Sequence, residues 1–475
     1  MKKLTIGLVI MATGAAMAAD VEVDFTQKAY PIRPALHSAG WGPRSSSRYI
    51  DNDDAKVKAM NLLYARTHDW ALVNPGQRVV DYQYIFPLFD KDPSDPSNYY
   101  FGPTDHLLEL SRNLGLKIFY RLGTSIEHTD GAHFNAAMPK DFDKTAEIFA
   151  GIIRHYNKGW ANGKHWDINY WEIWNEPEGC RNMWCMPVTE GDGSKDREFL
   201  KKKFIEFYVT VLKRLKREFP ELMIGGPALQ YYRPEWIRDI LVACKEAGVA
   251  PDFISWHYYG NDVYFLTTTA TQARMLCDEL GFKKTELIIN EWHYLLSWEG
   301  VHGRNSSPAM VKRAMEGPTG LNNIDSATFA LASLIWAQGS WLNMANYYGC
   351  AHKGNWGYMD EYKQPNKVWY ALKTFGEIVR DYKDICVAKS KNPTVHAMPV
   401  VSADGKRKAL LLVDYTGSTQ VIKVEVKGVP ADARISATLL DYTHDNFPVE
   451  VQRKGDTLTF VKPDKNSAAF FVEFD

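Results

Sequence analysis

Tyr170-Trp171-Glu172-Ile173-Trp174-Asn175-Glu176-Pro177 (170–177) and, further along, Leu287-Ile288-Ile289-Asn290-Glu291-Trp292 (287–292) share one construction: a short apolar strand delivers a carboxylate at its C-terminal end. Around them, from about residue 30 to 380, short apolar strands alternate with amphipathic helices, the pattern of a parallel sheet wrapped by helices. The strand candidates are Ala35 to Gly40, Leu62 to His68, Lys117 to Gly123, Asp167 to Glu176, Leu222 to Leu229, Phe253 to Gly260, Leu287 to His293 and Met344 to Gly349. Helical stretches such as Asp105 to Leu114, Phe142 to Tyr156, Arg197 to Glu218, Pro234 to Ala247 and Ala270 to Leu280 separate most of them. Eight such units predict a (β/α)8 TIM barrel, with the strand-end carboxylates on the face where barrel enzymes build their sites.

Residues 31–383 exceed the roughly 250 usual for this fold, so the excess falls in loops. Tyr84 to Thr104, Gly179 to Asp196 and Leu295 to Asn323 each follow a strand and precede a helix, where Trp184, Trp298 and several tyrosines are candidates for the walls of a site. Beyond residue 384 the texture changes to short alternating strands, among them Lys408 to Tyr415, Gln420 to Val426, Arg434 to Asp441, Thr457 to Val461 and Ala468 to Phe474. We read 384–475 as a smaller β-sandwich, and residues 19–30, with Val21, Val23 and Phe25 alternating, as an N-terminal strand that joins it.

Paired carboxylates at strand ends fit glycoside hydrolysis. In a retaining glycosidase one carboxyl donates a proton to the leaving oxygen and the other attacks the anomeric carbon, the two standing roughly 5 to 5.5 Å apart. Glu176 and Glu291, at the ends of the fourth and seventh strands, are the candidates for acid/base and nucleophile. We expect a raised pKa for Glu176 from desolvation and from repulsion by the second carboxylate, and an ionised Glu291 supported by Arg66. Residues two apart on a strand share a side, which groups Arg66 with His68 and His257 with Tyr259. Tyr259 is placed to bond the nucleophile, His257 a substrate hydroxyl, and Asn175 the hydroxyl next to the anomeric carbon; Trp292 and Trp356 complete the candidate substrate contacts. Glu172, deeper in its strand, reads as a structural carboxylate paired with an arginine or histidine. His37, Arg121 and Asn343 rank lower, as residues of the site rim or barrel interior. A lone Asn-Glu-Pro can simply end a strand, because proline restricts its predecessor to extended geometry; the second glutamate strand is what gives the first its chemical meaning.

Composition excludes several classes. Lysine plus arginine number 56 against 57 acidic residues, so no bulk charge draws the chain to nucleic acid or to an anionic membrane. After residue 18 no run of about 20 apolar residues exists to span a bilayer. Lys2 and Lys3, the apolar run Leu4 to Ala12 and Ala16-Met17-Ala18 form a secretory leader pattern over 1–18, which predicts an exported, periplasmic or secreted protein starting near Ala19. Of six cysteines, Cys180 and Cys185 are the close pair, a candidate loop-closing disulfide, while Cys244 and Cys277 read as buried free thiols. No His-x-His strand end or His-Glu-x-x-His helix marks a metal hydrolase.

At Trp174-Asn175-Glu176-Pro177, Ile289-Asn290-Glu291-Trp292, Arg66-Thr67-His68 and His257, the chain resembles the clan A glycoside hydrolases, and most closely glycoside hydrolase family 39, which includes β-xylosidases and α-L-iduronidases. The resemblance spans the barrel and the trailing sandwich. It implies an exo-acting retaining enzyme with a covalent glycosyl intermediate, no cofactor, no metal, and a glycoside of oligosaccharide or polysaccharide origin as substrate. Iduronidase-like members are expected to carry a basic residue just after the strand-six histidine, where this chain has Tyr258-Tyr259-Gly260. That favours a neutral pyranoside such as xylose, galactose or arabinopyranose, unless Arg304 or Lys353 substitutes. The alternatives are an α-L-iduronidase-like enzyme, an endo-acting glycanase of the same clan or, from a different class, a carbohydrate-binding protein with a degenerate barrel.

Overall fold

Eight parallel strands close on themselves in chain order. The computed structural model describes residues 19–40, 54–68, 70, 78–125, 138–178, 184, 197–301, 306–349, 356–359 and 364–475. The leader at 1–18, the Cys180/Cys185 pair, Arg304 and Lys353 lie outside the described residues. The barrel strands are Ser38–Ala39, Tyr64–Arg66, Lys117–Leu122, Tyr170–Ile173, Met223–Leu229, Phe253–Gly260, Glu286–Tyr294 and Met344–Tyr347, and the last pairs back onto the first through Ser38 with Asn346 and Ala39 with Tyr347.

The first and fourth strands are shorter than the sequence suggests, each for a local reason. Pro34–Leu36 forms a 3-10 turn, because proline fixes φ and offers no N–H to a ladder. In the fourth strand, Trp174 (φ 75°) and Glu176 (φ 46°) adopt left-handed conformations that bend the chain away from its neighbours. The helix expected from Ala270 begins at Phe265; the β-branched Thr267-Thr268-Thr269 run hides its first turn. Two of its threonine hydroxyls bond back to the preceding turn, Thr269 to the Phe265 carbonyl and Thr271 to that of Thr267.

Alternation sorts the strand side chains. Phe119, Phe253, Ile288 and Met344 plug the barrel interior near its N-terminal end. Outward-facing Ile118, Tyr120, Leu122, Trp171, Ile173, Ile254 and Ile289 join the large core beneath the helices. Toward the C-terminal ends the interior turns polar, with Arg66, Glu172, Ser255, His257 and Asn290 all fully buried. Such groups are stable there only when paired.

The strand Val21–Pro31 pairs antiparallel with Asp384–Ser390 and parallel with Val421–Lys427, within a ten-stranded sheet built otherwise from residues 384 to 474. That sheet folds over itself: Phe460 and Phe470, on its ninth and third strands, bring their rings to 5.1 Å. Val21, Val23, Leu412, Val424 and Val472 fill the space between the layers. The helix Ile324–Gln338 lies between barrel and sheet, where its Phe329 ring meets Trp292 of the seventh barrel strand and Tyr415 of the sheet region. Buried on nearly all sides, it is apolar or small all round. Cys244 and Cys277 are buried free thiols, as their helical positions predict. Among the described residues, no helix is long and apolar enough to cross a membrane.

Candidate active site

A β-bulge in the seventh strand makes the site. Trp256 of the sixth strand pairs with Ile289 but His257 pairs with Glu291, so Asn290 is one residue more than the facing strand has. The register toward the eighth strand slips at the same place, between Ile289 and Trp292. Strict alternation would send Asn290 and Glu291 to opposite faces; the bulge lets both point into the barrel. Asn290 Nδ2 donates to Glu172 Oε1 at 2.7 Å, and Glu291 reaches Arg66 and Tyr259.

Arg66 organises the floor. Its Nε donates to Glu172 Oε2 at 2.6 Å, Nη1 to Glu291 Oε1 at 2.6 Å and Nη2 to Asn175 Oδ1 at 2.7 Å. Burial opposes its charge, but Glu172 and Glu291 outweigh burial and hold it above its ordinary value. Glu172 also accepts from Ser255 Oγ at 2.7 Å, so it is a structural carboxylate whose arginine partner is Arg66.

Glu176 leaves its strand in the left-handed region, anchored by its N–H to the Ala228 carbonyl of the fifth strand at 2.8 Å. Gly123 makes room for that bend, since a Cβ there would stand 3.1 Å from the Trp174 ring. His257 Nδ1 lies 2.7 Å from Glu176 Oε1 and 3.4 Å from Glu291 Oε2. Oxygens of the two glutamates and a His257 nitrogen all fall within 4.8 Å of one another. Three donor atoms that close can share a divalent ion, but the Arg66 guanidinium beside Glu291 already supplies positive charge, and a second cation would be repelled by it.

Burial pushes Glu291 up to about 7, with Glu176 adding to the rise, while His257, Arg66 and the Tyr259 hydroxyl at 2.8 Å pull it down. The sequence suggested a plainly ionised Glu291; the Arg66 contact is present, yet desolvation places its two protonation states in balance near neutrality. His257 is pushed down to about 4 by burial, with Glu291 opposing, so the imidazole is neutral and its short contact with Glu176 contains one proton. Two residues beyond, the buried carboxyl of Glu178 is lifted to about 8 by desolvation and is neutral at pH 7.

Arg66, His68, Asn175, Glu176, His257, Tyr259 and Glu291 therefore come together, His68 Nε2 standing 3.7 Å from Glu291 Oε1. Trp356 lies at the rim, 5.4 Å from the Tyr259 ring, beside Trp298 and Tyr348. Trp298 is half exposed and forms a wall of the mouth. Trp292 is not a substrate contact: one residue past the bulge it turns outward and packs fully buried against Phe329 and Tyr347. Trp184 is likewise core, its ring held by Trp174, Phe204 and Phe207. Among the lower-ranked residues, His37 bonds the Met60 carbonyl, Asn343 accepts from the Leu287 N–H, and Arg121 is paired with Asp81 at 2.8 Å. Ser255 and Asn290 carry structural roles not assigned from sequence. Ser255 was within reach, two residues before His257 on the same face; Asn290 was not, because the bulge reverses its direction.

Known proteins resemble this chain in sequence and in fold. The model of glycosyl hydrolases family 39 matches residues 21–295, more than half of the chain. A β-xylosidase of Geobacillus stearothermophilus is 31% identical over 220 residues, 44% of this chain and 39% of that protein. A β-xylosidase of Caldicellulosiruptor saccharolyticus is 25% identical over 190 residues, 38% of this chain and 35% of that protein. These matches thus span well under half of either relative. Similar solved structures include a glucosidase from Croceicoccus marinus (TM-score 0.73, 19% identity, 97% of this chain and 99% of that one). Another is a monomeric β-xylosidase from Caulobacter crescentus CB15 (TM-score 0.64, 15% identity, 96% and 99% covered). At such identities the structural likeness establishes the barrel-plus-sheet fold.

Proposed function

The chain belongs to glycosyl hydrolases family 39 and is a glycoside hydrolase, and from that membership we propose a retaining exo-glycosidase that uses two glutamates on a neutral pyranoside, β-xylosidase-like or with related galactoside or arabinopyranoside activity. The observation that carries the reading is the separation of the two carboxyl groups, with oxygens within 4.8 Å. An inverting enzyme needs roughly 6.5 to 9.5 Å to admit a water between them.

In the first step Glu291, held by Arg66 and Tyr259, attacks the anomeric carbon while Glu176 protonates the departing oxygen. In the second, Glu176 takes a proton from water, which breaks the glycosyl ester and restores Glu291. Asn175 supports both steps: its Oδ1 is fixed by Arg66, leaving a buried Nδ2 without a protein partner to donate to the neighbouring sugar hydroxyl. Charge supports a neutral substrate: Arg66 and Arg121 both face protein carboxylates, and no basic residue directly follows His257. The aromatic rim of Tyr259, Trp298, Tyr348 and Trp356 supports a walled pocket and hence exo action. The leader pattern at 1–18 supports export, testable by sequencing the N-terminus of protein recovered from the periplasm.

An aryl-glycoside panel tests the substrate class: β-xyloside, β-galactoside, α-L-arabinopyranoside, α-L-iduronide and α-galactoside, with wild type and Glu291→Ala. Turnover of one neutral glycoside, lost in Glu291→Ala, is the expected result. Preference for the iduronide, or turnover surviving the loss of Glu291, contradicts the proposal.

A further inference from the structure

Fourteen of the fifteen residues of the helix Ile324–Gln338 are buried between barrel and sheet. The remaining one, where the helix meets solvent, is a tryptophan, Trp336, 42% exposed. An apolar residue has no burial reason to occupy the single wet position of a buried helix.

Trp336 opens onto a groove of about 380 Å³, whose walls come from the Val21–Pro31 strand, the sheet strands Asp384–Ser390 and Val395–Val401, and the start of the helix Phe265–Leu280. Tyr264 and Tyr30, 39% and 38% exposed, share it. The Tyr264 ring lies 5.1 Å from that of Trp336 at 61°, an edge-on contact between the two rings. Trp336 Nε1 donates to His396 Nδ1 at 3.0 Å and the Tyr264 hydroxyl donates to the Pro393 carbonyl, which fixes both rings before any ligand arrives. None of the lining residues is acidic, and none is lysine or arginine; buried His396, pushed down to about 4 by desolvation, is neutral. Ser390 and Asn392 line the edge, where the Ser390 hydroxyl and Asn392 Oδ1 bond within the turn and Asn392 Nδ2 is the donor the turn does not use.

We propose that this groove is a second carbohydrate site, separate from the catalytic carboxylates, which holds a neutral glycan chain by stacking pyranose rings on Trp336 and Tyr264. Pre-fixed aromatic faces with a few polar groups in a concavity of this size suit a small uncharged amphipathic ligand. A second protein would need roughly 800 Å² of its own surface to be buried, far more than such a groove offers. The proposal goes beyond the catalytic reading and rests only on the chain acting on glycans, whichever carboxylate is the nucleophile.

Affinity electrophoresis of the full chain through gels with soluble arabinoxylan, galactan or no polymer tests it, comparing wild type, Trp336→Ala and Tyr30→Ala. We expect wild type to be retarded by at least one polymer, Trp336→Ala to bind about tenfold more weakly, and Tyr30→Ala to show an intermediate loss. Aryl-glycoside kcat/KM is expected to stay within about twofold, since none of the groove's lining residues belongs to the candidate active site. Tyr30→Ala, at the exposed end of its strand, keeps the test decisive if Trp336→Ala fails to fold. Absence of retardation in wild type, or equal retardation in all three proteins, overturns the proposal. So does Trp336→Ala changing the mass of the protein in sedimentation without changing retardation, which marks an interface between copies instead. Retardation that depends on Trp336 in a protein inactive on every aryl glycoside would sink the catalytic proposal and leave this one standing.

Discussion

Each of three Arg66 nitrogens holds a different acceptor, so its loss unpairs Glu172 and Glu291 together. Arg66→Ala is expected to abolish activity and to cost about 3 to 5 kcal/mol in urea denaturation, the usual result of leaving a buried charge unpaired. A variant as stable as wild type would refute that role. Tyr259 bonds Glu291, the proposed nucleophile, through one hydrogen bond that favours its ionised form. In the proposed mechanism Glu291 must be ionised to attack, so activity is expected to fall as pH drops through its pKa, which burial has moved up to about 7. Tyr259→Phe removes a lowering influence, so the acidic limb of kcat/KM should move upward by about 1 pH unit. A limb that stays in place or moves down contradicts the assignment. For Glu176→Ala, hydrolysis of poor leaving groups should drop by about 10² to 10⁴ while activated aryl glycosides suffer far less. A uniform loss across leaving groups would mean that Glu176 is not the proton donor.

The bulge in the seventh strand brings Asn290 to the same side as Glu291, so one strand supplies both a donor to Glu172 and a candidate catalytic carboxylate. Deleting Asn290 restores regular pairing with the sixth strand, leaves Glu291 opposite His257 and facing the barrel, and removes the Asn290 bond to Glu172. The deletion variant and Asn290→Ala should both melt earlier, because Glu172 loses a donor in each, while both keep measurable hydrolysis; loss of hydrolysis in the deletion alone would show that the bulge itself sets the position of Glu291. This element also marks the limit of what the sequence discloses. All eight strands were legible from apolar runs and spacing, and alternation correctly placed Arg66 with His68 and His257 with Tyr259. Trp292 was misassigned although alternation from Glu291 already turns it outward; what one strand's pattern does not record is the bulge that sets Asn290 on the same side as Glu291, because a bulge depends on how two strands are registered against each other. The positive φ of Trp174 and Glu176 was hidden for the same reason: the bend is imposed by Ala228 and Gly123 on neighbouring strands.

Across the whole molecule, the C-terminal sheet covers the helix Ile324–Gln338, with Ser467 Oγ bonded to Asp325 at 2.6 Å and Tyr415 packed on Phe329. A chain ended at residue 383 would leave that helix's apolar outer face in water, and we expect it to be insoluble. The full chain should therefore melt in one calorimetric transition; two resolved transitions, or a soluble, active barrel fragment, would contradict this dependence. The central claim is that two close glutamates act by double displacement, and it is tested most directly by following in time, by proton NMR, the anomer first released from a substrate the enzyme turns over. The account predicts release with the substrate's own anomeric configuration, with mutarotation to the other anomer only afterwards; first appearance of the opposite anomer would show that water, and not Glu291, attacks the sugar.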